Sequence, residues 1–95
     1  MSADTVAELA DRTARATDLH RRARPYFAGP HALPLPLLRI IEAMLVSGAS
    51  PDAWSDLAEA MRRAGCCLRA LGCADAAERF LGLAQELQRL AENLP

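Results

Sequence analysis

Large apolar residues recur at three- and four-residue intervals on both sides of Gly72. Before it stand Trp54, Leu57, Met61, Ala64, Leu68 and Leu71; after it stand Phe80, Leu83, Leu87, Leu90 and Leu94. An α-helix turns once in about 3.6 residues, so each set falls on one stripe. A turn as short as Gly72 and its neighbours makes two striped helices antiparallel neighbours. The stretch from Ser50 to Leu94 is therefore expected to form a helical hairpin on which the rest of the chain is organised. Ser50-Pro51-Asp52 is a strong helix start: a capping hydroxyl, a proline where no N–H is needed, and an acid beside the positive end of the helix. Asp56 and Glu59 come early in this helix and Arg62, Arg63 and Arg69 late, which complements the dipole. Asp75 with Glu78 reads as a capping box opening the last helix.

The upstream half is less apolar and more broken. Residues 3–24 read as a helix, with Thr5 and Glu8 as a capping box. Acid-before-base pairs four apart (Glu8 to Arg12, Asp11 to Arg15, Asp18 to Arg22) each add about 0.3 kcal/mol to a solvated helix. Its apolar stripe is thin: Val6 and Leu9, then Ala10, Thr13, Ala16 and Thr17. Such a helix docks weakly or waits for a partner. Pro25 ends it, and residues 25–36, with four prolines and Gly29, read as a loop. Pro36 suits the first turn of a following helix. That helix, Leu37 to Ser47, is apolar on nearly every side, with Leu37, Leu38, Ile40, Ile41, Met44, Leu45 and Val46 broken only by Arg39 and Glu42. A helix of that kind is expected to be buried. Gly48 closes it.

The totals narrow the function classes. Ninety-five residues support one domain, 1–95, with a modest core. An apolar fraction of 52% argues against global disorder, and a net charge of −1 gives no bulk field for nucleic acid or membrane. All 11 basic residues are Arg, as a GC-rich genome would produce; the functional alternative is a need for forked guanidinium donors. The N-terminal MSADTVAELAD lacks the apolar core of a signal peptide, and no apolar run reaches spanning length. A cytoplasmic protein with reduced thiols is expected.

Candidate chemistry is sparse. Cys66, Cys67 and Cys73 lack the spacing of a zinc site, and adjacent helical residues point about 100° apart, so buried structural thiols are expected and no metal. No cofactor is expected. No paired carboxylates or Ser/His/Asp set suggest catalysis, so the chain does not read as an enzyme. His20, Arg21, Arg22 and Arg24 fall at a helix C-terminus, where cations complement the dipole. Arg21, Arg22, Arg24 and Arg39 lie in a stretch, 19–41, in which the notable alternative is a site for phosphates or another anionic ligand such as DNA.

Residues 61–84, MRRAGCCLRALGCADAAERFLGLA, resemble a tetratricopeptide repeat. Gly65, Leu68, Gly72, Ala77, Leu81 and Ala84 match its small and apolar positions in register. Met61 stands where the repeat has Trp, and Arg89 where it closes with Pro. Gly48, Ala53, Leu57 and Ala60 echo Gly72, Ala77, Leu81 and Ala84 at a shorter period. The resemblance implies peptide or helix binding, as in small secretion chaperones and adaptors. The expectation is an all-α bundle of three to four helices acting as a protein-interaction module. Its partner is a second copy or another helical protein, with no membrane and no nucleic acid. Leu37, Leu38, Ile41, Met44 and Leu45 are the candidate partner-binding residues.

Overall fold

The computed structural model describes residues 3–94, apart from the side chains at 3, 4 and 12. It is all-α, with no strand among the described residues. Helices α1 (Ala3–Ala23), α2 (Leu35–Ser47), α3 (Pro51–Ala70) and α4 (Ala74–Asn93) are joined by short turns, except that a 3-10 helix, Arg24–Phe27, leads into the α1–α2 loop. The α3–α4 hairpin is the most extensive pairing.

Each end of the hairpin is set by local chemistry. The Ser50 hydroxyl accepts from the Ala53 amide at 3.3 Å, and Pro51 occupies the first helical turn. Gly72, at φ 84°, ends α3 in a left-handed turn. The Cys73 amide there donates to the Leu68 carbonyl at 2.9 Å and the Gly72 amide to Arg69 at 3.1 Å. Gly48, at φ 69°, closes α2 in the same way.

The line that α3 buries is Trp54, Ala58, Met61 and Gly65, with Leu57, Ala64 and Leu68 flanking it, half-buried. Opposite stand Ala77, Leu83, Ala84, Leu87, Leu90 and Ala91 of α4. Gly65 is needed there: a Cβ at that position would lie 2.8 Å from Leu81 Cγ and 3.3 Å from the Ala77 carbonyl oxygen. Ser55 adds a polar link, donating to Gln88 Oε1 at 3.3 Å across the seam.

Several expectations are corrected. Leu71 is 78% exposed, because α3 ends at Ala70 and the turn rotates Leu71 out of the stripe. Asp75 and Glu78 form no capping box; the turn at Gly72 leads straight into α4, with Cys73 at the N-cap, and Asp75 sits in the first turn, 3.4 Å from His31 Nε2. The start of α1, where Thr5 and Glu8 were expected to cap, borders residues outside the described set. The Glu8–Arg12 pair involves a side chain outside the described set. The Asp11–Arg15 and Asp18–Arg22 pairs form at 3.1 and 2.9 Å. All three cysteines are exposed: Gly65 holds the inward position beside Cys66 and Cys67, and Cys73 lies in the turn.

The segment from Pro25 to Pro36 is not all loop. The 3-10 helix follows α1 directly, and α2 begins at Leu35, two residues before Leu37. Arg79 donates to the Pro25 carbonyl at 2.9 Å. The Tyr26 ring lies so close to Gly82 that a Cβ there would fall 2.7 Å from it. Leu33 is buried, its amide donating to the Tyr26 carbonyl at 2.9 Å. The segment is thus pinned to α4, which also anchors the C-terminal end of α1 through buried Leu19 and Ala23.

Candidate functional site: an apolar groove between α1 and α2

The bundle closes at one end of α1 and stays open at the other. Every described side chain from Thr5 to Ala14 is exposed, whereas Leu19 and Ala23 are buried. The long axis of the molecule, 53 Å, exceeds the ~30 Å of a 20-residue helix, so the N-terminal part of α1 projects as an arm. The reason is compositional. Leu19 and Ala23 fit against α4, but the arm has only Val6 and Leu9 as large apolar residues, and neither reaches the core.

Where the arm and α2 diverge they leave a groove of about 900 Å³. One wall is the α1 face of Leu9, Thr13, Ala16, Thr17 and His20. The other is the end of α2 (Glu42, Met44, Leu45, Val46) and the turn from Gly48 to Pro51. Trp54, Leu90 and Leu94 close the bottom. Trp54 itself is only 2% exposed. From Leu9 to His20 the wall is about 16 Å long at 1.5 Å per residue, about three turns of helix. Ionisable groups enter only at one end, where His20 Nε2 and Glu42 Oε1 meet at 3.2 Å and tie α1 to α2. Val46, 91% exposed, and Leu9, 45% exposed, stand at the rim.

The candidate partner-binding residues separate. Met44 and Leu45 line the groove. Ile41 is fully buried and belongs to the core. Leu37 and Leu38 are half-buried outside the groove. α2 is thus not buried all round: Leu35, Ile40 and Val46 are exposed. Leu9, Val46, Trp54 and Leu94 belong to the groove without having been singled out for it.

Two of the four candidate anion-binding arginines have carboxylate partners. Arg21 pairs with Asp18, and Arg22 reaches Asp18 at 2.9 Å and Glu86 at 3.8 Å. Asp18 and Glu86 thus interleave with Arg15, Arg22 and Arg89 in a shallow depression of about 280 Å³ between α1 and α4. Carboxylates so placed oppose an incoming anion. Arg24 and Arg39 are exposed. Among the described residues there is no cluster of three His, Cys, Asp or Glu placed to hold a metal ion, and no helix long and apolar enough to cross a membrane.

No protein-family model, curated protein or solved structure matches the chain. The resemblance of residues 61–84 to a tetratricopeptide repeat therefore rests on those residues alone.

Proposed function

We propose that the protein is a non-enzymatic interaction module whose groove receives an amphipathic helix. The observation that carries this reading is an apolar trough three helical turns long, bounded by helices on both sides. A ligand helix presents apolar residues at i, i+3 or i+4, and i+7, a span of about 10 Å. The groove matches that span and supplies Leu9, Met44, Leu45, Val46 and Leu94 as its counterpart. Burying one Leu or Ile anchor stabilises by roughly 1.5–3 kcal/mol. Three anchors thus contribute roughly 4.5–9 kcal/mol, which association costs of at least about 4 kcal/mol reduce to weak binding, with a dissociation constant of about 0.2 mM at best.

The single tryptophan gives the test, since Trp54 lies in the groove floor. A synthetic amphipathic helical peptide, with leucines at every third and fourth position, is titrated at low protein concentration while Trp54 emission is followed. A saturable change that Val46→Asp abolishes is expected. A saturable response to a long-chain fatty acid, with none to the peptide, would replace the helix with a small amphiphile and overturn the reading.

A further inference from the structure

We infer that a second copy packs on the outer face of α2, the two α2 helices running antiparallel about a two-fold axis. This face borders the groove at Glu42 and Val46 and is otherwise separate from it.

Four residues of α2 make the face: Leu35, Arg39, Glu42 and Val46. Their spacing of four, three and four places them within about 60° of arc, at about 100° per residue. The centre of that arc lies about 130° around the helix from Ile41, the residue that α2 gives to the core. All four are exposed, Leu35 at 59% and Val46 at 91%, with Arg39 and Glu42 between them. A large apolar residue thus stands at each end of a bare helix face, with a base and an acid in the middle. Ile40 is also exposed but lies on another side of the helix.

The order of these four residues selects the occupant. The spacing is the same read from either end, and apolar, base, acid, apolar becomes apolar, acid, base, apolar. The face is therefore its own complement when turned end for end. A two-fold axis crossing α2 midway between Ile40 and Ile41 sets Leu35 against the partner's Val46 and Arg39 against the partner's Glu42. Each contact then occurs twice. A parallel pairing instead brings like charges together at both positions. The alternation of three and four is that of a seam between two packed helices, and a charged layer inside such a seam fixes its register. Antiparallel packing also opposes the helix dipoles favourably. Glu42 is already oriented on this face, since its Oε1 meets His20 Nε2 at 3.2 Å, and a carboxylate has a second oxygen to offer a guanidinium. The contact is isologous and closes at two copies. A net charge of −1 adds little repulsion between them. About three turns of one helix fall short of the ~800 Å² per partner of a stable interface, so the dimer is a weak one.

Sedimentation equilibrium of the full chain, in reductant and up to millimolar concentration, tests this. A monomer–dimer equilibrium is expected. Arg39→Glu and Glu42→Arg each turn two attractive contacts into repulsive ones and are expected to raise the dimer dissociation constant at least about fivefold. An equimolar mixture of these two variants is expected to dimerise like the parent, as is the double variant Arg39→Glu/Glu42→Arg, because each restores two contacts of opposite charge. Glu42→Arg also gives up the His20 contact, and recovery in the mixture shows that its effect is one of pairing. Leu35→Asp is expected to weaken the dimer and Ile40→Asp to leave it unchanged; both residues are exposed in the single chain, so circular dichroism should show both variants folded. Leu35 and Arg39 lie outside the groove, so these results do not turn on what the groove receives. A chain that stays monomeric throughout overturns the inference. A dimer that Arg39→Glu and Leu35→Asp leave intact puts the contact elsewhere and overturns it too. A dimer lost in the single variants and recovered in neither the mixture nor the double variant overturns the antiparallel register.

Discussion

Gly65→Ala separates two opposing effects whose sizes the structure supplies. In an open helix interior the substitution stabilises by about 1 kcal/mol, because alanine restricts the unfolded backbone. Here the new methyl would meet Leu81 Cγ at 2.8 Å, Leu81 Cδ2 at 2.9 Å and the Ala77 carbonyl oxygen at 3.3 Å. Cγ is the branch point of Leu81, so a swing of the side-chain tip cannot relieve the contact; α3 and α4 must move apart. Overpacking of this kind costs about 1–3 kcal/mol. The packing cost outweighs the propensity gain, and the net expectation is a loss of about 1 kcal/mol. For a domain of this size that lowers the melting temperature by roughly 4–8 °C. Thermal and urea melts of Gly65→Ala, Leu81→Ala and the double variant form a cycle. In the Leu81→Ala background the two Leu81 contacts are gone and only the 3.3 Å approach to the Ala77 carbonyl oxygen remains, so Gly65→Ala should there become about neutral, with a coupling of about 1 kcal/mol. Stabilisation by Gly65→Ala in the parent background would refute the close approach of α3 and α4 at this position.

Three further outcomes follow from the same structure. Amides of the arm, from Thr5 to Thr13, should exchange faster than those of α3 and α4 in the dilute single chain, since nothing apolar covers them; equal protection by hydrogen-exchange mass spectrometry would show a docked arm. All three thiols should react promptly with a thiol reagent in the native protein, because Cys66, Cys67 and Cys73 are exposed; a thiol that reacts only on unfolding would contradict that placement. Arg62, hydrogen-bonded to Glu59, with Arg63 beside it, holds the Glu59 carboxyl below its ordinary range. A depressed carboxyl stabilises above its unfolded-state pKa, and that contribution is lost as pH falls through the folded-state value. Parent and Glu59→Gln should thus melt slightly apart near neutral pH and converge in acid; a gap that persists in acid would remove the linkage.

The hairpin was legible because its signal is redundant. Spacing, Ser50-Pro51 at one end and Gly72 at the turn all point to the same two helices. Within the hairpin, Gly65 was missed as a core position since a residue without a side chain adds nothing to an apolar pattern, although its place one turn after Met61 marks it. Taking Leu71 as core followed from continuing the period past the point where Gly72 had already ended the helix. The thiols were misplaced because cysteine is usually buried, a tendency of the residue type that this packing overrides. The docking of the Pro25–Pro36 segment depends on Tyr26 meeting Gly82, two residues that no local rule connects. Met44 and Leu45 were legible as incompletely covered residues since α2 is too apolar to be buried all round; they line the groove. The groove as a whole was not, because it arises from the angle between α1 and α2. Its one sequence trace is the stripe of α1 thinning from Leu19 through Ala16 and Thr13 to Leu9 and Val6.

Methyl NMR during titration with the amphipathic peptide tests most directly whether the groove is where this protein binds. The account predicts progressive shifts at Leu9, Met44, Leu45, Val46 and Leu94, which line it, and none at Leu71, which is exposed at the far turn. Shifts centred on Leu71, or unchanged methyls throughout the groove, would contradict it.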